Sequence, residues 1–260
     1  PMRAFSQLLD SLILTPGRNA KITLLCDYFA RTPDPARGWA LAAITGELDL
    51  KTIKPAMIRA LVSERMDEEL FRLSYDYVGD LAETVSLVWP ETHGANYSPT
   101  LDEIVDTVQD TPKAKAPELI AHWLDRLGAS ERWALLKLVT GGLRIGVSAR
   151  LAKQALAKFG GVKAGEIEEL WHGLDAPYED LFAWLSGEGE KPAPDMSGAF
   201  RPVMLAHPLI AKKDRDDPDA INPDMITPEA FAAEWKWDGI RVQAVSENGV
   251  RRLYTRTGDD

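Results

Sequence analysis

The sequence predicts a mainly α chain, in which an all-helical N-terminal domain (1–198) is followed by the beginning of an α/β domain (199–260). Three observations predict it. Up to about Leu185 the apolar residues recur at helical spacing, with no sustained alternation of period two. The stretch 186–198 (SGEGEKPAPDMSG) is rich in Gly, Pro, Ser and charge, which is linker chemistry. Beyond it the texture changes to alternation around a tight-turn signal.

Each element has its own local cause. Residues 21–29 place Ile22, Leu25, Tyr28 and Phe29 on one helical stripe. Thr100 with Glu103 three residues on forms a capping box ahead of Leu101, Ile104 and Val108. Pro117 suits the first turn of a helix expected to reach Leu127 and stop at Gly128. Ser130 is expected to cap the next helix, which ends at Gly141-Gly142, and Ser148 to cap another that runs through Leu151, Ala155 and Phe159 to Gly160-Gly161. After the linker, Ile240, Val242 and Ala244 alternate with Arg241, Gln243 and Val245. Asn248-Gly249 then supplies a hairpin turn, and 250–254 reads as the returning strand.

With 260 residues, 45% of them hydrophobic and 27% charged, the chain has enough apolar mass for a core without disulfides or metals. Cys26 is the single cysteine and fits a reducing, cytoplasmic setting. No basic-then-apolar segment opens the chain and no apolar run approaches membrane length, so secretion and membrane spanning are not expected. Pro1 ahead of Met2 reads as an addition and is set aside. The histidines His93, His122, His172 and His207 show no metal-ligand spacing, and no metal site is expected from them.

A net charge of −10 argues, as an average, against a nucleic-acid partner. The average hides a segregation. Arg132, Lys137, Arg144, Arg150, Lys153, Lys158 and Lys163 fall in a stretch without acids, while Glu166, Glu168, Glu169, Asp175, Glu179, Asp180, Glu188 and Glu190 crowd behind it. Salt screens charges more than about 10 Å apart, so an acidic chain can still carry one basic face. On charge alone a solvated helical surface and a phosphate-binding face both remain open. The residues around Ser148 add an independent reason: the start of a helix presents free backbone N–H groups. Gly146 and Ser148 precede such a start, Arg144 and Arg150 flank it, and Lys153 lies nearly a turn beyond. Gly141-Gly142 is not a Walker loop, since no Gly-Lys-Ser/Thr follows at the required spacing.

The stretch Glu234-Trp235-Lys236-Trp237-Asp238-Gly239-Ile240-Arg241 also supports two readings. As structure it is a strand entry with a glycine bulge. As chemistry it sets a nucleophile, a carboxylate and a guanidinium around a permissive glycine, with Lys236 and Asp238 on the same side of an extended segment. A lysine amine attacks only when unprotonated. Burial and nearby cations lower its pKa while Asp238 raises it, and spacing does not settle that balance.

Residues 236–241 resemble the K-x-D-G-x-R motif of the covalent nucleotidyltransferases: ATP-dependent DNA ligases, RNA ligases and capping enzymes. Residues 253–260 (LYTRTGDD) resemble the next ligase motif, and 201–206 (RPVMLA) the segment that leads ligases into this domain. In the helical region, 143–148 (LRIGVS) is similar to a segment of the DNA-binding domain of cellular ATP-dependent ligases. Residues 77–82 (YVGDLA) are similar to that domain's Gly-Asp-Leu-Gly element, with Ala82 in place of the last glycine.

The resemblance implies an ATP-dependent DNA ligase that seals nicks in duplex DNA, a monomer with ATP and Mg²⁺ as cofactors and nicked double-stranded DNA as its partner. Lys236 would be the nucleophile that carries AMP, Asp238 would act near the nick or in later steps, Glu234 would sit beside adenine, and Arg241 and Arg256 would contact ribose or phosphate. Arg144, Gly146, Ser148, Arg150 and Lys153 would form the DNA-binding set. The family's further downstream motifs do not occur in these residues, so a fragment that binds nicked duplex and adenylates itself poorly or not at all is the expectation. A non-catalytic DNA clamp and an RNA ligase or capping-type enzyme are the alternatives, and the 143–148 segment counts against the latter.

Overall fold

A computed structural model describes residues 2–50, 53–90, 97–194, 197–201, 226–227, 229–230, 235 and 237–256. It divides into two compact units, one of residues 1–170 with 174–193 and one of 171–173 with 194–260. Among the described residues the chain is mainly helical, with a single two-stranded sheet.

The first unit opens with α1 (Met2–Leu14), α2 (Arg18–Arg31), α3 (Ala36–Thr45) and α4 (Pro55–Ser63). It continues with α5 (Glu68–Val78), α6 (Leu81–Val88), α7 (Leu101–Asp110) and α8 (Ala116–Leu124). After α9 (Ala129–Thr140) and α10 (Ala149–Gly160) come α11 (Ala164–Trp171), whose last residue falls in the second unit, and α12 (Glu179–Leu185). None of the described helices is long and apolar enough to cross a membrane.

The helix punctuation follows side-chain chemistry. Thr100 accepts from the Glu103 N–H at 3.3 Å as the capping box requires, and Ser148 accepts from the Leu151 N–H at 3.1 Å. Pro117 lies in the first turn of α8. Two expected boundaries move. Helix α8 stops at Leu124, and 125–127 continue as a tight turn in which the Arg126 and Leu127 N–H groups both reach the Trp123 carbonyl. The residue that starts α9 is Gly128, extended at φ −74° and ψ 168°, not Ser130. The Ser130 hydroxyl donates to Asp10 on α1 instead, a tertiary contact that sequence spacing does not reveal.

The core of this unit is layered helix on helix: α2 lies along α10, while α1 and α6 lie along α9. Phe29, Phe159 and Phe182 meet edge-on, with centroids 5.3–6.2 Å apart. Arg37 caps this cluster, its guanidinium 4.4 Å from the Phe182 centroid, while it pairs with Asp34 at 2.6 Å. Burial of each such ring contributes about 1.5 to 3 kcal/mol, with edge-on geometry adding roughly 1 kcal/mol per pair. At Gly38 a Cβ would stand 1.5 Å from the Pro177 carbonyl oxygen, so α3 meets the residues before α12 through a position only glycine fits. Every buried side-chain nitrogen and oxygen among the described residues has a partner.

In the second unit, β1 (Val242–Glu247) and β2 (Val250–Thr255) form an antiparallel hairpin with Glu247 opposite Val250. The turn residues Asn248 and Gly249 both adopt positive φ (49° and 82°), the conformation the Asn-Gly pair predicts. Residues 197–201 cover one face. The Tyr254 hydroxyl donates to the Gly198 carbonyl at 2.6 Å, and Gln243 exchanges hydrogen bonds with the Arg201 backbone at 2.8 Å. Arg201 pairs with Glu247 at 3.1 Å, and Phe200 packs edge-on against Tyr254 and His172. The alternation read in β1 is present, but the half-buried set is Gln243, Val245 and Glu247, while Val242 and Ala244 are exposed. Hydrogen bonds to Arg201 and the packing of the buried Phe200 on Tyr254 together select this face.

Candidate nucleic-acid interface

Helix α9 ends at Gly141, left-handed at φ 71°, and the Gly142 N–H closes back on the Lys137 carbonyl at 3.0 Å. Residues 142–147 then connect to α10. Ile145 is buried and anchors this connector, and Gly146 turns it at φ 66°. Ser148, extended at φ −83° and ψ 159°, uses its hydroxyl on Leu151, so the N–H groups of Ala149 and Arg150 find no acceptor among the described residues. The positive end of the α10 dipole is therefore open to an anion. Arg144, Gly146, Ser148 and Arg150 are all exposed around it.

The structure sorts the basic run into exposed and internal members. Arg132 is buried and donates to the carbonyls of Leu124 (2.7 Å), Trp89 (3.1 Å) and Pro90 (3.5 Å). Lys137 pairs with Asp80 at 2.5 Å. Lys153, expected beside Arg150, turns inward: it is 9% exposed and its Nζ donates to Glu168 at 2.8 Å. Its position adjoins Leu151 and Ala152 on the buried side of α10, which sets its direction. Arg144, Arg150, Lys158 and Lys163 remain as exposed cations.

The Gly-Asp-Leu-Ala element is a junction between helices. Gly79 ends α5 at φ 79°, and Asp80 caps α6, its Oδ1 accepting from the Glu83 N–H at 2.9 Å. The other carboxylate oxygen takes the Lys137 ammonium from α9, one turn before the connector begins. Burial alone would push the Asp80 carboxyl up. The hydrogen bonds from Lys137 and from the Glu83 and Ala82 N–H groups outweigh it, and the group is held below the usual carboxylate range.

A residue outside the basic run completes the connector. Lys21 of α2 is 9% exposed, and its Nζ donates to the carbonyls of Ile145 at 3.3 Å and Gly146 at 2.9 Å. Its signal in the sequence was a lysine on the same stripe as Leu25 and Tyr28, an inward position for a cation. Nearby, Arg18 donates to Gln154 of α10 at 2.7 Å and ties the same two helices.

Lys236 and Glu234 lie outside the described residues, as do 202–206 of the leading segment and 257–260 of the second motif. Asp238 and Arg241 are exposed ahead of β1, and Arg256 is exposed after β2. Because Val242 faces Thr255, Arg241 and Arg256 flank the same open end of the hairpin.

Comparison with known proteins bears on the helical region most directly. Residues 1–157 match the family described as DNA ligase N terminus. A probable DNA ligase of Koribacter versatilis is 24% identical over 273 aligned positions, covering the whole of this chain and 45% of that protein. A probable DNA ligase of Anaeromyxobacter dehalogenans is 32% identical over 134, covering 52% of this chain and 25% of that protein. The chain thus spans less than half the length of these curated relatives. With the family match extending over most of the helical region, and with the connector and the Gly-Asp-Leu junction both inside it, the chain belongs to the DNA ligase N-terminal family.

Proposed function

We propose that residues 1–198 form the DNA-gripping domain of an ATP-dependent DNA ligase and that 199–260 begin its nucleotide-transfer domain. The observation that carries the first part is the open start of α10, with unsatisfied N–H groups between the exposed Arg144 and Arg150. Phosphate contacts of this kind position a duplex without reading its sequence, which suits an enzyme that seals any nick. Gly146 and Ser148 shape the site, while Lys153 supports it from inside through Glu168.

In the second part, Lys236 is the nucleophile that carries AMP, Glu234 lies beside adenine, and Asp238 serves the later steps. When bound, ATP would supply the adenylate and Mg²⁺ would offset the charge of its phosphates. The described residues that fit a nucleotide anion are Arg241 and Arg256, guanidiniums at one end of the hairpin. No cluster of three metal-ligating side chains occurs among the described residues.

Competition binding tests this reading. An unlabelled nicked DNA duplex is expected to displace a labelled one more effectively than an RNA duplex of the same sequence. Stronger displacement by RNA would overturn the DNA assignment in favour of an RNA ligase or capping-type enzyme.

A further inference from the structure

The connector has an unusual support. Backbone carbonyls at a phosphate site are a liability, because their partial negative charge repels the ligand. Those of Ile145 and Gly146 are turned away from solvent onto one ammonium, that of Lys21, contributed from more than a hundred residues earlier in the chain. Two carbonyls can converge on it because Gly146 adopts φ 66°, and a Cβ at Gly146 would stand 2.6 Å from Nζ. No carboxylate pairs with Lys21 among the described residues, so its charge is not cancelled locally. Buried charges are screened by salt far less than exposed ones.

We propose that Lys21 is a positioning residue for DNA binding, pinning the α9–α10 connector so that Arg144, Arg150 and the first turn of α10 face a phosphate. The proposal rests on the reading of that connector as the phosphate site. Lys21 does not touch DNA; it acts by holding the connector's carbonyls inward and by adding a positive field from beneath.

A double-mutant cycle on nicked-duplex affinity separates this from general stabilisation. Lys21→Met is expected to weaken binding about tenfold in the wild-type background, and less than about twofold when Arg144→Ala and Arg150→Ala are already present. Gly146→Ala, which keeps the ammonium but crowds it out of its position, is expected to show the same dependence on background. Should Lys21→Met fail to fold, this second variant carries the test. An equal loss in both backgrounds, or none in either while the arginine changes weaken binding, would overturn the role of Lys21 alone. Unchanged affinity after the arginine substitutions would overturn the phosphate site itself, and the role of Lys21 with it.

Discussion

Asp80 shows how one side chain joins two elements. It caps α6 and holds Lys137 of α9, and its carboxyl lies below the usual carboxylate range. A depressed acid contributes stability above its unfolded pKa of about 3.9 and loses it as pH falls through the folded value. Asp80→Asn keeps a capping oxygen but removes the charge. At pH 7 it is expected to cost about 0.5 to 1 kcal/mol, the pair being partly exposed. Denaturant unfolding at several pH values checks this, and the gap between variant and wild type should close as pH falls through and below the ordinary carboxylate range. A gap that does not change with pH would show that the ion pair is not its cause. At this scale the sequence was only partly legible. A run of basic residues does not say which cations face water, since Arg132, Lys137 and Lys153 are engaged inside the domain. Lys21 was missed because its partners are set by tertiary packing, not by neighbours in the chain.

Helices were more legible than single side chains, because caps and breakers act locally. Ser148 caps α10 and Thr100 caps α7 where their spacing places them, and the glycines after α9 and α10 end those helices in the left-handed region. Ser130 was the exception: a free hydroxyl near a helix start reads as a cap, but the contact with Asp10 takes it elsewhere. In the hairpin, the turn was written in Asn248-Gly249, whereas the covered face was decided by Gly198, Phe200 and Arg201, some forty residues or more upstream. Ser148→Ala removes the side-chain acceptor that caps the first turn of α10. It is expected to cost about 1 kcal/mol, lowering Tm by roughly 2 to 4 °C in a domain of this size. A thermal melt checks it, and an unchanged Tm would mean that packing along α2, not the cap, fixes the start of α10.

The whole molecule carries a net charge of −10, yet it belongs to a family that handles DNA. Segregation resolves the conflict. Exposed arginines gather around one helix start, and some of the acids that follow in sequence are taken up by cations elsewhere, Glu168 by the buried Lys153 and Glu166 by Lys191 at the surface. Phosphate contacts release counterions, so log K for duplex binding must fall linearly with log salt concentration. The most direct test is that slope for a nicked duplex, measured for the wild type and for Arg144→Ala with Arg150→Ala. A steep negative slope is expected, made shallower by about 2 in the double variant if each arginine holds one phosphate. Affinity that does not change with salt, or a slope the substitutions leave untouched, would contradict the assignment of the α9–α10 connector as the DNA grip.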